Sequence, residues 1–325
     1  MTAVQLACQN IKDSVTGSAE KPAEVSCDNQ YAYVGGDALS VDPMMNEITA
    51  TNLQVPIQQN LTGSNAWKIP LIPTVNTGTK VAAVDGPIGV AINGIPIFNP
   101  CKQGGCSNGD TKVLGELDIC NGHAGRADDY HYHAAPTCMM AHQIPHYWDT
   151  HPVGWALDGY AILGYNDSNG ATASRDGICG GNSSDQNSAL IPSGYSYHVT
   201  DNSPYVLSCF YGIPSPDLAG QGAKFKPIRQ PPVTPFKVSA MTLTTDPTDG
   251  YQVLQFTSAI TFTTNETGTD SYNNPPGTYK IRSKQLTGSA LTAALASNPG
   301  KTQCWQFQFQ TFNGTQTQPP ITYCR

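Results

Sequence analysis

The chain has 325 residues, among them 31 Gly, 25 Pro and 10 Cys, with 13% charged residues against the roughly 25% of an average domain. A net charge of −7 with only 17 Lys plus Arg opposes nucleic-acid binding, and the chain shows neither a Gly period nor heptads, which excludes collagen and coiled-coil readings. With 15 Tyr, 9 Phe and 4 Trp it is too aromatic for a disordered chain, and no apolar run reaches the roughly 18 residues of a membrane span.

The N-terminus MTAVQLACQN lacks a basic region followed by an apolar run, so any signal peptide is expected to be absent from this sequence. Gly, Pro and Asn punctuate the first two thirds every few residues, which predicts short strands in long connections and excludes long helices there. The apolar run Ile88 to Pro100 predicts a buried strand pair around an Asn93-Gly94 hairpin turn. The four-proline stretch from Lys224 to Phe236 reads as an extended strap. After it, Tyr251 to Thr264 and Cys304 to Phe312 alternate apolar with polar residues, the pattern of half-buried strands. Ser289 to Gly300 reads as one short helix with Ser289 as its N-cap.

The expected fold is mainly β, with long disulfide-stapled loops and few short helices. It is either one elaborated β domain or a β core with a smaller β C-terminal region. The expected boundaries are an N-terminal β and loop segment at 1–84, a core at 85–223, the strap at 224–236 and a β-rich region at 237–325.

Cys8, Cys27, Cys101, Cys106, Cys120, Cys138, Cys179, Cys209, Cys304 and Cys324 are even in number, spread along the chain and never in CxxC pairs. That pattern predicts disulfides and a secreted, extracellular protein. Connectivity does not follow from sequence; the nearest-neighbour expectation is Cys8 with Cys27, Cys101 with Cys106, and Cys304 with Cys324. Glycosylation sequons stand at Asn60, Asn166, Asn182, Asn265 and Asn313, close to chance in number.

Six of the seven histidines, His123, His131, His133, His142, His146 and His151, lie within 29 consecutive residues. No Lys or Arg occurs between Arg126 and Arg175, whereas five Asp do. Imidazoles and carboxylates gathered where cations are removed suit a bound metal ion. In DDYHYH, Asp128 to His133, the two-residue period of a strand puts His131 and His133 on one face and Tyr130 and Tyr132 on the other. His123, eight residues before His131, is placed to return by a hairpin and supply a third nitrogen. Three neutral imidazoles with an open position suit zinc or copper, in preference to calcium. His142, His146 and His151, beside prolines or aromatics, read as structural. No nucleophile elbow, zincin motif or glycine-rich phosphate loop is present, so no reaction follows and enzymatic activity stays open.

These residues resemble the YHYH-domain family. Beside Tyr130-His131-Tyr132-His133, the blocks Gly86 to Pro100, Leu117 to Gly125, Pro136 to Cys138, His151 to Tyr165 and Tyr195 to Gly212 occur in the order that family shows. The resemblance fixes no reaction. It implies that His198, after Tyr195 and Tyr197, is a further candidate ligand, and that Asp118 and Asp158 are candidates to hydrogen bond the ligand imidazoles. The resulting expectation is a secreted, histidine-rich metal-binding protein whose partner is a metal ion, with glycans or other extracellular chains as further partners, contacted by the C-terminal strands in the alternative reading. The alternative is an extracellular structural, adhesion or assembly module in which the motif only packs the core.

Overall fold

In a computed structural model of the chain, the described residues are 1–17, 20–50, 54–83, 86–175, 178–183, 194–220, 224, 237–264, 272–310 and 319–325. They are mainly β, as expected. The largest sheet has eight strands in the order Gly181–Asn182, Ser196–His198, Ala161–Leu163, Gly154–Ala156, Pro87–Ala91, Pro96–Phe98, Tyr130–Tyr132 and Gly122–Ala124. A three-stranded sheet is made by Glu24–Cys27, Tyr31–Gly35 and Trp67–Pro70, and a five-stranded antiparallel sheet by Val238–Thr245, Gln252–Ser258, Gly277–Gln285, Cys304–Gln310 and Ile321–Cys324.

The apolar run from Ile88 does form a strand pair about the Asn93-Gly94 turn. Gly94 takes φ 80°, a left-handed conformation that costs glycine nothing, and the Gly94 N–H donates to the Ala91 carbonyl at 2.9 Å. In Cys304–Gln310, Trp305, Phe307 and Phe309 are buried, with half-buried Gln between them, so alternation does sort this strand's faces. One buried apolar cluster runs from Ile11 and Val15 through Trp67, Ile97 and Leu163 to Phe256, Trp305 and Phe307.

Two local expectations need correction. A 14-residue helix, Ala3–Thr16, opens the chain, where long helices were excluded. Residues 2–16 contain neither Gly nor Pro, Thr2 and Gln5 form a reciprocal capping box, and Ala7, Ile11 and Val15 face the core at helical spacing. The later helix spans Gly288–Ala296 with Thr287 in the N-cap position, so Ser289 lies inside the first turn instead of capping it.

The ten cysteines form five disulfides, including the three expected pairs; the others are Cys120–Cys138 and Cys179–Cys209. Of the strap only Lys224 is described; it is buried, and its Nζ donates to the carbonyls of Asn65 at 2.8 Å and Ala66 at 3.0 Å. Residues 225–236, Asn265 and Asn313 lie outside the described residues. Asn60, Asn166 and Asn182 are half-buried. No described helix is long and apolar enough to cross a membrane.

Candidate metal centre

The strands Gly122–Ala124 and Tyr130–Tyr132 pair antiparallel with His123 directly opposite His131. Strand alternation then decides which side chains meet. Tyr130 and Tyr132 are fully buried on one face, with ring centroids 5.7 Å apart. On the other face His131 and His133 meet His123: His131 Nε2 lies 3.0 Å from His133 Nε2, which lies 3.1 Å from His123 Nε2.

The opposite edge of each ring is held by oxygen. His131 Nδ1 is 3.0 Å from the carbonyl of Asp129, two residues before it, and 3.2 Å from Asp129 Oδ2. His133 Nδ1 is hydrogen bonded to the Asn99 carbonyl, and His123 to the main chain of Glu116. A carbonyl only accepts, so the His131 and His133 ring protons sit on Nδ1 and each Nε2 turns a lone pair inward. Nitrogen lone pairs brought this close repel unless a proton or a metal cation lies between them. Tetrahedral zinc with bonds of about 2.0–2.1 Å separates its nitrogens by roughly 3.3 Å; the 3.0 and 3.1 Å separations need a few tenths of an ångström of opening, and the three ligand atoms as a set lie within 4.8 Å of one another. Burial lowers the His123 pKa to about 3 and that of His133 well below the ordinary value, with the neighbouring His131 adding to both, so these rings stay neutral and able to ligate.

Phe98 stacks on His131 at 3.8 Å between centroids, with an interplanar angle of 17°. Gly125 leaves no room for more: a Cβ there would stand 2.7 Å from His131 Cε1 and 2.9 Å from Asp129 Oδ1. The three histidines line a cavity of about 610 Å³, with Phe98, Lys102, Gln103, Glu116, Arg126 and Asp129 among its other walls.

Among the described residues these three are the only cluster of three or more His, Cys, Asp or Glu placed to share an ion. His198 does not join them. It is fully buried in Ser196–His198, with Nδ1 3.0 Å from the Gly164 carbonyl, on the far side of the sheet order from His131. Asp118 and Asp158 make no hydrogen bond to a ligand imidazole; each instead accepts a buried tyrosine hydroxyl. Tyr130 donates to Asp118 Oδ2 at 2.6 Å, and Tyr197 to Asp158 Oδ2 at 2.6 Å. The carboxylate that does reach a ligand ring is Asp129. Asn99 and Glu116 contribute through the main chain, for which side-chain type gives no signal. Of the other histidines, His142 pairs with Asp42 at 2.7 Å and His146 with Asp149 at 2.8 Å, while His151 stacks on Tyr147.

Residues 66–184 match the family model described as YHYH protein. The matched span holds the three converging histidines and ends before Tyr195 to Gly212, the block that implied a role for His198. No curated protein and no solved structure matches the chain.

Proposed function

We propose that this chain, which carries a YHYH domain, binds one zinc or copper ion through Nε2 of His123, His131 and His133 and leaves a further coordination position facing the cavity of about 610 Å³. The observation that carries the reading is the convergence of three imidazole nitrogens, with the ring protons of His131 and His133 held at Nδ1 by carbonyl oxygens. An all-nitrogen set of neutral rings favours zinc or copper over calcium, which takes oxygen ligands. Asp129 supports the reading as the acceptor that fixes the His131 tautomer, a common arrangement behind metal-bound histidine. An ion with an open position supplies Lewis acidity toward a small ligand's oxygen. The five disulfides support an oxidising, extracellular setting for the protein.

The test is elemental analysis of chain stripped with chelator and reloaded separately with zinc and copper, alongside His131→Ala and His133→Ala. One ion per wild-type chain, lost in both variants while the circular dichroism spectrum is kept, is the expected result. No retained ion in wild type, or unchanged occupancy in both variants, overturns the proposal.

A further inference from the structure

The cavity over the three histidines is far larger than admission of water requires. At about 610 Å³ it is roughly twenty times the 30 Å³ share of a water molecule in the liquid, and it falls in the range of small-molecule pockets. Its charged lining is balanced: Lys102 and Arg126 oppose Glu116 and Asp129. These four are not equivalent. Lys102 Nζ is 2.7 Å from Glu116 Oε1, so that pair neutralises itself, and Asp129 is engaged by His131. Arg126, exposed at the cavity wall, donates from Nη1 to the neutral amide oxygen of Gln103 at 2.9 Å. Its guanidinium therefore keeps a full positive charge and further donors for a ligand.

A divalent ion on three neutral imidazoles adds two positive charges to this balanced lining, in a chain whose net charge is −7. The pocket of an acidic protein thereby becomes the place where an anion is favoured. Phe98 adds an apolar wall suited to an organic body. We infer that the cavity takes a small organic monocarboxylate, one oxygen directed at the metal position and the carboxylate bridged to the Arg126 guanidinium. This rests on the proposed metal site. A monoanion fits better than a phosphate dianion because the second rim cation, Lys102, is already taken by Glu116.

The probes are benzoate, its neutral analogue benzamide, and phenyl phosphate, titrated into the full chain loaded with cobalt(II), whose visible absorption reports changes at the metal. Benzoate is expected to shift the spectrum saturably and to bind at least about tenfold more tightly than benzamide, the margin of a charge-assisted hydrogen bond. Arg126→Gln is expected to weaken benzoate about tenfold, with Arg126→Lys recovering only part because it lacks the planar fork. Metal content of each variant, measured in parallel, separates the two readings. A chain that takes up no metal overturns the metal site and this inference together. A fully loaded chain that binds benzamide as well as benzoate, prefers phenyl phosphate, or ignores Arg126→Gln overturns this inference alone.

Discussion

The two tyrosines of the Tyr130 to Tyr132 strand are both fully buried, yet removing their hydroxyls is expected to have different consequences. Tyr130 donates at 2.6 Å to Asp118, a carboxylate that also accepts from the main-chain N–H groups of Met45 at 2.8 Å and of Cys120 and Gly122 at 2.9 Å. Burial pushes the Asp118 pKa up to about 6, and the Tyr130 hydroxyl is the foremost of the bonds working against that rise. Tyr130→Phe therefore removes a hydrogen bond to a charged, buried acceptor, a loss of about 1.5–3 kcal/mol above neutral pH. In Tyr132→Phe the lost partners are neutral, the Asn93 amide, which donates at 3.0 Å, and the Ser40 hydroxyl, and about 0.5–1.5 kcal/mol is expected. The sign of the pH effect follows from linkage. Without the Tyr130 hydroxyl the folded-state pKa of Asp118 rises further above its unfolded value, so the folded variant resists ionisation more strongly than wild type. Its deficit is largest above the wild-type value of about 6 and narrows toward that of a neutral hydrogen bond as pH falls below it. Urea unfolding at pH 5 and pH 7.5, with m held common, measures both quantities. A Tyr132→Phe penalty equal to or larger than that of Tyr130→Phe, or a Tyr130→Phe deficit independent of pH, would refute the assignment of Asp118 as a charged anchor.

Asp158 is fully buried with a pKa raised to about 6, chiefly by burial, so its folded form holds the proton and stability falls as pH rises from 3.8 through about 6. In Asp158→Asn the amide oxygen can still accept from Tyr197 and from the Gly212 N–H, now without ionising. The variant should gain roughly 2–3 kcal/mol relative to wild type between pH 4 and pH 7, and a flat difference across that range would contradict it. Gly125→Ala, whose Cβ meets His131 and Asp129, should lower zinc affinity at least about tenfold in a chelator competition, since displaced ligand geometry and second-partner changes typically cost that much; unchanged affinity would count against the tight Gly125 contact. His198→Ala should lower the unfolding midpoint by losing its bond to the Gly164 carbonyl, yet leave metal stoichiometry as in wild type; lost metal would return His198 to the site.

What was legible in the sequence was whatever a local period controls. The two-residue alternation of a strand is enough to put His131 beside His133 and away from Tyr130 and Tyr132, and a short return brings His123 opposite. The same rule sorts the faces of Cys304–Gln310. The acidic partners were less accessible. Which of several Asp residues reaches an imidazole depends on how the chain enters the strand. Here Asp128, with φ 57°, turns its side chain to the Val55 N–H, and the next residue, Asp129, curls onto His131. Asp118 and Asp158 look like ligand partners in sequence, but their carboxylates are spent on tyrosine hydroxyls. Carbonyl acceptors such as that of Asn99 have no side-chain signature. The parallel pairing that places Pro96–Phe98 beside Tyr130–Tyr132 joins residues more than thirty positions apart, beyond any local period. The N-terminal helix was a different kind of omission: its capping box and helical spacing are local signals, hidden by the Gly and Pro content of the sequence that follows.

Every disulfide joins a cysteine to the next one along the chain, at separations of 19, 5, 18, 30 and 20 residues. Such an order coincides with the order of synthesis. The first cysteine of each bridge has its native partner in the next cysteine to emerge, so under oxidising conditions a nascent chain can close its bridges one after another without passing through a non-native pairing. The covalent scaffold is thus a string of closed local loops, none interlocking with another. The strand pairings that connect distant segments, including the one that sets His133 against Asn99, are held by non-covalent contacts alone.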